Sequence, residues 1–373
     1  MYKLKYYKYL QKGGAILVGD LVLGIFEYLI PNECLKIVKE IDLDINLNDN
    51  EIKDYWQAVA TNTIPTWKTK KITTLKELEG HTDTVHIVCW SNEETNRICS
   101  GSWDVTLRIW DAKSGQCLTM LDMQYDTIQS MCWSGDGSNR ICTGGGVVDN
   151  KIRLWDSESG QCLAVLEGHT HTVNSVSWSN NGLKLICSGS DDNTVRVWDA
   201  KFGHCLMILE GHTCQVNTVC WSNDGSNRIC SGSWDSTLRV WDITEIETKM
   251  MVLEGHSDGV NSVSWSNDGS NRICSGSADM TVQVWDSESG QCLKVLKGHT
   301  DQVTSVCWST DRSNRICSAS WDHTLRVWDA ESGQCLMVLK GHTGYVRSVC
   351  WSTDGSNRIC SGSDDKTVRV WGV

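Results

Sequence analysis

The sequence contains no uninterrupted apolar run approaching the ~18–20 residues that cross a bilayer. The nearest stretch, Ala15–Ile30, is broken by Asp20 and Glu27, and no small-residue cleavage pattern follows it. Basic charge is also short, with 34 Lys and Arg against 46 Asp and Glu and a net charge of −12. The deficit is uneven. Met1–Lys71 carries 10 lysines against 9 acids, so the remainder holds 24 basic against 37 acidic residues, a charge of −13. Nucleic-acid affinity rests largely on Lys and Arg neutralising phosphates, so this acidic body is a poor match for a phosphate backbone and points to protein partners. The pattern C-x-x-C is absent although there are 19 cysteines, which removes the usual zinc signature. Nor is this a small secreted scaffold held by disulfides. The cysteines recur before a Trp (Cys89, Cys132, Cys220, Cys307, Cys350) and in "RIC"-like stretches (Cys99, Cys142, Cys187, Cys230, Cys274, Cys317, Cys360). They read as small buried hydrophobes in a reducing, intracellular compartment, cytoplasmic or nuclear. The Asp-Gly turns lack the acidic ligand at position 12 of a calcium loop, so neither metal nor cofactor is expected.

What the sequence does hold is repetition. Trp-Asp pairs start at Trp110, Trp155, Trp198, Trp241, Trp285 and Trp328, and Trp371-Gly372 ends the series, at spacings of 45, 43, 43, 44, 43 and 43. Gly-His pairs start at Gly80, Gly168, Gly211, Gly255, Gly298 and Gly341, and Met123-Gln124 stands where one is missing. These are seven units. Each reads as short strands: "VNSVSWS" (Val173–Ser179), "RICSGS" (Arg228–Ser233), "STLRVWD" (Ser236–Asp242) and "GQCLKVL" (Gly290–Leu296), with turns such as "NDGSN" (Asn223–Asn227) between the first two. Four strands per unit and seven units predict an all-β, seven-bladed β-propeller.

With these two-ended units, residues 72–373 resemble the WD-repeat family. In that family the fourth strand of each sequence repeat belongs to the preceding blade. The resemblance implies that "ITTLKEL" (Ile72–Leu78) completes blade 7 and closes the ring, which removes open sheet edges. It also implies one hydrogen-bonded set per blade: His81, Ser100, Asp104 and Trp110 in blade 1; His169, Ser188, Asp192 and Trp198 in blade 3; His212, Ser231, Asp235 and Trp241 in blade 4. Blade 5 has His256, Ser275, Asp279 and Trp285; blade 6 has His299, Ser318, Asp322 and Trp328; blade 7 has His342, Ser361, Asp365 and Trp371. Blade 2 departs, with Gln124, Thr143, Asp149 and Trp155 and an extra residue in "TGGGVVD".

Ser, His and Asp together also spell a hydrolase triad. A triad needs one exposed nucleophile beside a cleft. Six near-identical sets round one ring argue against catalysis, and none of the six serines lies in G-x-S-x-G. The reading is therefore a scaffold network and not an enzyme.

Variation is confined. The residue before each Asp runs Trp103, Val148, Asp191, Trp234, Ala278, Trp321, Asp364, and the family places it on the top rim near the central channel. A second top-face position runs His86, Gln129, Asn174, Asn217, Asn261, Thr304, Arg347, with Tyr345 two residues before Arg347. Trp103, Trp234, Trp321, His86, Tyr345, Arg347, Asp191 and Asp364 are the expected partner-binding face. One arginine is too few for phosphate recognition, which uses clustered Arg. Tryptophans beside carboxylates suit a cationic or apolar peptide.

Ahead of the repeats, a basic terminus (1–15) precedes a helical period with Leu21, Ile25, Tyr28 and Leu29 on one stripe, then Leu35, Val38 and Ile41. Residues 16–60 resemble an F-box through Leu17, Ile25, Phe26, Tyr28, Leu29, Cys34–Leu35 and Trp56, although Val18 replaces the expected Pro and Asp42–Glu51 is inserted before the Trp. A small α-helical N-terminal domain is expected, joined through residues 61–71. The resemblance implies that Leu21, Ile25, Phe26, Leu29 and Leu35 dock a Skp-type linker of a cullin–RING ubiquitin ligase, with the propeller presenting substrate. The competing expectation is a WD-repeat scaffold that assembles protein complexes with no ubiquitin role.

Overall fold

The computed structural model describes residues 74–91, 95–123, 127–146, 148–180, 182–243 and 248–373. The expected helical domain, and with it Leu21, Ile25, Phe26, Leu29 and Leu35, lies outside the described residues, as does Gln124.

Seven four-stranded antiparallel sheets account for all the described strands. Blades 1 to 6 are consecutive in the chain: Val85–Asp122, Ile128–Leu166, Val173–Leu209, Val216–Glu254, Val260–Lys297 and Val303–Lys340. Blade 7 is assembled from both ends. Its first three strands are Val346–Trp351, Arg358–Ser363 and Val368–Gly372, and its outer strand is Thr74–Leu78, paired antiparallel with Val368–Gly372. Leu78 is buried with Val368 and Val370 of blade 7 and Val85, Val88 and Trp90 of blade 1. The ring is thus closed by backbone pairing and by an apolar cluster between its first and last blades.

The pleat explains the layering. On each first strand, such as Val173–Trp178, the Val and Trp face one neighbouring blade while the residues between them face the other. The second strand, R-I-C-S-G-S in most blades, is buried along nearly its whole length. Its glycine marks a close approach between blades. A Cβ at Gly189 would stand 2.6 Å from the Val216 side chain of the next blade, and at Gly232 2.6 Å from Val260. Outer strands are exposed on alternate residues.

Neighbouring blades are also tied by hydroxyls. The third residue of a first strand accepts a backbone N–H from the next blade: Ser175 from Val219 (3.0 Å), Thr218 from Val263 (3.2 Å), Ser262 from Val306 (3.0 Å), Ser305 from Val349 (3.2 Å) and Ser348 from Val88 (3.1 Å). Two seams lack this tie. Blade 1 has Ile87 at that position, and the buried Ser130 hydroxyl of blade 2 has no partner among the described residues.

Candidate functional site: an aromatic sector of the top face

The turn joining second and third strands fixes everything above it. In blade 1, His81 Nδ1 lies 2.9 Å from Asp104 Oδ2 and Nε2 lies 2.7 Å from Ser100 Oγ, to which Trp110 Nε1–H donates at 2.8 Å. Ser100 accepts from the indole, so its own O–H donates to His81 Nε2, and His81 Nδ1–H donates to Asp104. The same chain is made by His169, His212, His256, His299 and His342 with their Ser, Asp and Trp partners. Each Asp is also held by backbone and hydroxyl donors. Asp104 takes Thr82 N–H at 2.9 Å and Thr106 Oγ1–H at 2.6 Å. Burial raises the Asp104 pKa, but these bonds and His81 outweigh it and bring it to about 2. Burial in turn lowers the pKa of His81, His169 and His212, against the pull of the Asp partner. His81, His169 and His212 are therefore held neutral beside their ionised Asp partners.

This is the proton geometry of a triad, but with the serine buried where a triad exposes its nucleophile. The six serines are fully buried, and each accepts one indole N–H. The letters G-x-S-x-G do occur at Gly255–Gly259, but there they sit between two strands, Lys249–Glu254 and Val260–Trp265, and not at a strand-to-helix elbow. Blade 2 keeps the Trp155 Nε1–Thr143 bond at 2.9 Å, and its Asp149 pairs with Arg153.

The turn aims the variable residue. Its backbone N–H donates to the carbonyl of the residue two before the second top-face position, as in Trp103 to Thr84, Asp191 to Thr172, Trp234 to Gln215, Trp321 to Gln302 and Asp364 to Tyr345, at 3.0–3.1 Å. What the side chains then do divides the ring. On blades 3 to 6 the second position is a strut: Asn174, Asn217 and Asn261 donate to the Val216, Val260 and Val303 carbonyls, and Thr304 donates to Val346. Asn174 also holds Asp191 at 2.6 Å. Gln129 in blade 2 bonds Thr127.

On blades 6, 7 and 1 the same positions build a cluster. Arg347 binds Asp364 through Nε and Nη2 at 2.7 and 2.8 Å. Its guanidinium lies 5.1 Å from the Trp321 ring, 5.7 Å from Trp103 and 5.8 Å from Tyr345. Tyr345 stacks on Trp321 at 4.9 Å and on His323 at 5.3 Å, and His86 stacks on Trp103 at 5.9 Å. Trp103 is 42% exposed and Tyr345 38%. Burial first, then the Arg347 charge, lowers the His86 pKa to about 4 against the pull of Asp364, so the ring is neutral at neutral pH. Buried His86 Nδ1 and Trp321 Nε1 have no partner among the described residues. Trp234, 46% exposed, stands apart from this cluster over Gly259, where a Cβ would be 3.1 Å from its ring.

Two elements were not read from the sequence. His323, which follows Asp322 in the turn with φ 65°, joins the aromatic stack. On the opposite face, the turn "DGSNR" is a clamp: Arg228 bonds Ser226 at 2.9 Å and Asp224 at 2.6 Å and lies 5.1 Å from Trp265 of the next blade. Arg140, Arg272, Arg315 and Arg358 do the same over Trp178, Trp308, Trp351 and Trp90. The recurring Asp-x-Ser-x-Arg spacing was the available signal.

No curated protein is similar enough to the chain to match it. The family described as WD domain, G-beta repeat matches residues 72–111, 115–156, 160–199, 203–242, 247–286, 290–329 and 333–372, each stretch running from the outer strand of one blade through the third strand of the next. These seven matches cover most of the chain, which therefore belongs to the WD-repeat family.

Proposed function

We propose that this propeller is a non-catalytic protein-interaction module whose top face, in the sector of blades 6, 7 and 1, holds an apolar segment of a partner protein. The observation that carries this reading is the place of Arg347. A cation already occupies the space between Trp103 and Trp321, and its charge is matched by Asp364. A basic ligand would have to displace a bidentate, charge-assisted pair, and a single neutralised arginine is a poor phosphate site. The open ring surfaces of Trp103 and Tyr345 remain, and aromatic surface of this kind supplies binding energy by area burial.

The finer reading is that the module is the substrate-recognition adaptor of a cullin–RING ubiquitin ligase. It is supported by the F-box-like residues Leu17, Ile25, Phe26, Tyr28, Leu29 and Trp56 ahead of the propeller. Neither nucleic acid nor a membrane is assigned as a partner. We place the protein in a reducing intracellular compartment, on the strength of 18 free cysteines among the described residues.

Two experiments test the two levels. The full chain is co-purified with a Skp-type linker protein beside an Ile25→Asp/Leu29→Asp variant. A complex lost in the variant supports the adaptor, and no complex with folded protein leaves a scaffold propeller. Separately, peptide arrays compare apolar, basic and phosphorylated segments on wild type and on Trp103→Ala/Trp321→Ala. Loss of such anchors costs about 2 kcal/mol, or about 30-fold in affinity. Best binding by phosphopeptides, or equal binding by the variant, overturns the top-face reading.

A further inference from the structure

The cysteines read as inert filler are arranged in pairs. On five blades a first-strand cysteine lies directly opposite a second-strand cysteine in the ladder: Cys89 and Cys99, Cys132 and Cys142, Cys220 and Cys230, Cys307 and Cys317, Cys350 and Cys360. Blades 3 and 5 have Ser177 and Ser264 at the first-strand position, facing Cys187 and Cys274. Opposed residues in an antiparallel ladder put their side chains on the same face. The two thiols of each pair are therefore neighbours.

We propose that Cys350 and Cys360 form a redox modification site, in which a hydroperoxide joins the two facing thiols into a reversible disulfide across the first and second strands of blade 7. One observation singles out this pair, and two that it shares with the other four suit it to a bridge. The Trp90 N–H of blade 1 donates to Cys350 Sγ at 3.4 Å. As in the other four pairs, the first-strand residue, Cys350, is partly exposed while the second-strand Cys360 is buried. The register is also suitable. Ser352 N–H bonds the Arg358 carbonyl, so two residues along, Cys350 and Cys360 form a hydrogen-bonded pair, with α-carbons about 5.5 Å apart. That lies within the ~4.4–6.8 Å a disulfide spans. Side chains are farther apart in such a pair than in the alternate one, so the bridge is strained, and strained disulfides are the readily reduced ones. Separately, the hydrogen bonds from Cys360 and from Trp90 N–H lower the Cys350 pKa against burial, whereas burial raises that of Cys360.

The chemistry balances with hydrogen peroxide as the oxidant. Cys350 thiolate attacks one peroxide oxygen, the O–O bond breaks, and the leaving hydroxide takes the thiol's proton as water. The Cys350 sulfenic acid is then attacked by Cys360 sulfur. The S–O bond breaks, a second water leaves with the Cys360 proton, and the S–S bond forms. Two thiols are oxidised and one peroxide is reduced.

The test treats the reduced full chain with hydrogen peroxide near neutral pH, blocks remaining thiols and maps tryptic peptides. Ser348–Arg358 joined to Ile359–Lys366 is expected to appear ahead of the other cross-strand bridges, with a mass lower by two hydrogens, and to vanish with dithiothreitol. Cys360→Ser is expected to leave Cys350 trapped by a sulfenic-acid reagent. Cys350→Ser, a residue that blades 3 and 5 hold at the same register, is expected to fold and to keep Cys360 alkylatable. The proposal is overturned if both thiols stay alkylatable once exposed Cys117, Cys162, Cys292 and Cys335 are oxidised. It is equally overturned if the bridge forms only when the chain is unfolded.

Discussion

Replacing Ser275 with Ala tests whether the buried His–Ser–Asp–Trp sets hold the ring. Ser275 is fully buried, lies 2.7 Å from His256 Nε2 and accepts Trp285 Nε1–H at 2.8 Å. Its loss leaves two buried polar groups without partners, each costing about 1–3 kcal/mol, so the expected loss is about 2–5 kcal/mol after relaxation. Urea unfolding followed by far-ultraviolet circular dichroism measures it, with Trp285→Phe and the double variant completing a cycle. Trp285→Phe removes the stranded donor, so the double variant is expected to cost less than the sum of the singles by about 1 kcal/mol or more. A loss below about 0.5 kcal/mol, the range of ordinary surface changes, or a strictly additive cycle would show that the network does not hold the blade.

Removing residues 1–68 is expected to leave the propeller's melting temperature unchanged, whereas deleting Thr74–Leu78 exposes the edge of Val368–Gly372 and removes buried Leu78. A soluble, cooperatively melting product of the second deletion refutes the closure. Val105 sits at φ 56°, where Asn193 stands in blade 3. A β-branched residue there is strained by about 1–2 kcal/mol, so Val105→Asn is expected to stabilise the protein by about 1 kcal/mol, and a lower melting temperature refutes this. Acid should weaken the fold in two steps. His81, His169 and His212 have lowered pKa values when folded, so below about 6.5 the unfolded chain binds more protons and stability falls. Asp104 and Asp235, held at about 2, add a second loss as pH drops below about 4. A urea midpoint that is flat or rising between about pH 7 and about pH 3 contradicts this sign.

The blades were legible because their signals are local. Arg228–Ser233 is a strand in the sequence reading and in the structure, and the other strands shift only by a residue or two at their ends. The top face was legible only as positions. Asn174, Asn217, Asn261 and Thr304 vary as a ligand-reading surface would, yet each is spent on the next blade's backbone. Whether a side chain faces solvent or a neighbour depends on how far the ring turns between units, and a 43-residue period carries no information on that. The same limit hid the Arg228 clamp, whose Asp-x-Ser-x-Arg half is local but whose Trp265 half lies in the next blade.

Near-copied repeats allow the chain to be compared with itself, and the comparison separates scaffold from site. Where the letters agree, as in the Ser and Asp of six of the seven turns, hydrogen bonds close within one blade. Where they differ and the side chain still bonds the next blade, as at Asn217, the difference is a change of strut. Blades 6, 7 and 1 are the exception. There Arg347, Trp103, Trp321, Tyr345 and His86 meet across two seams beside open ring surface. His86 Nδ1 and Trp321 Nε1 are buried there without partners among the described residues, as are most first-strand indoles elsewhere in the ring, and what sets these two apart is their place in the aromatic cluster. A satisfied network would be sufficient for stability; buried groups left unmatched beside open aromatic rings are costly to the free protein. A bound segment that supplies an acceptor to the Trp321 indole and covers the Trp103 ring would recover that cost. On this reasoning Trp321→Phe, which deletes the unmatched N–H and keeps the stacking, stabilises the free propeller and weakens the complex. A variant that does neither removes the reason for placing the site in this sector.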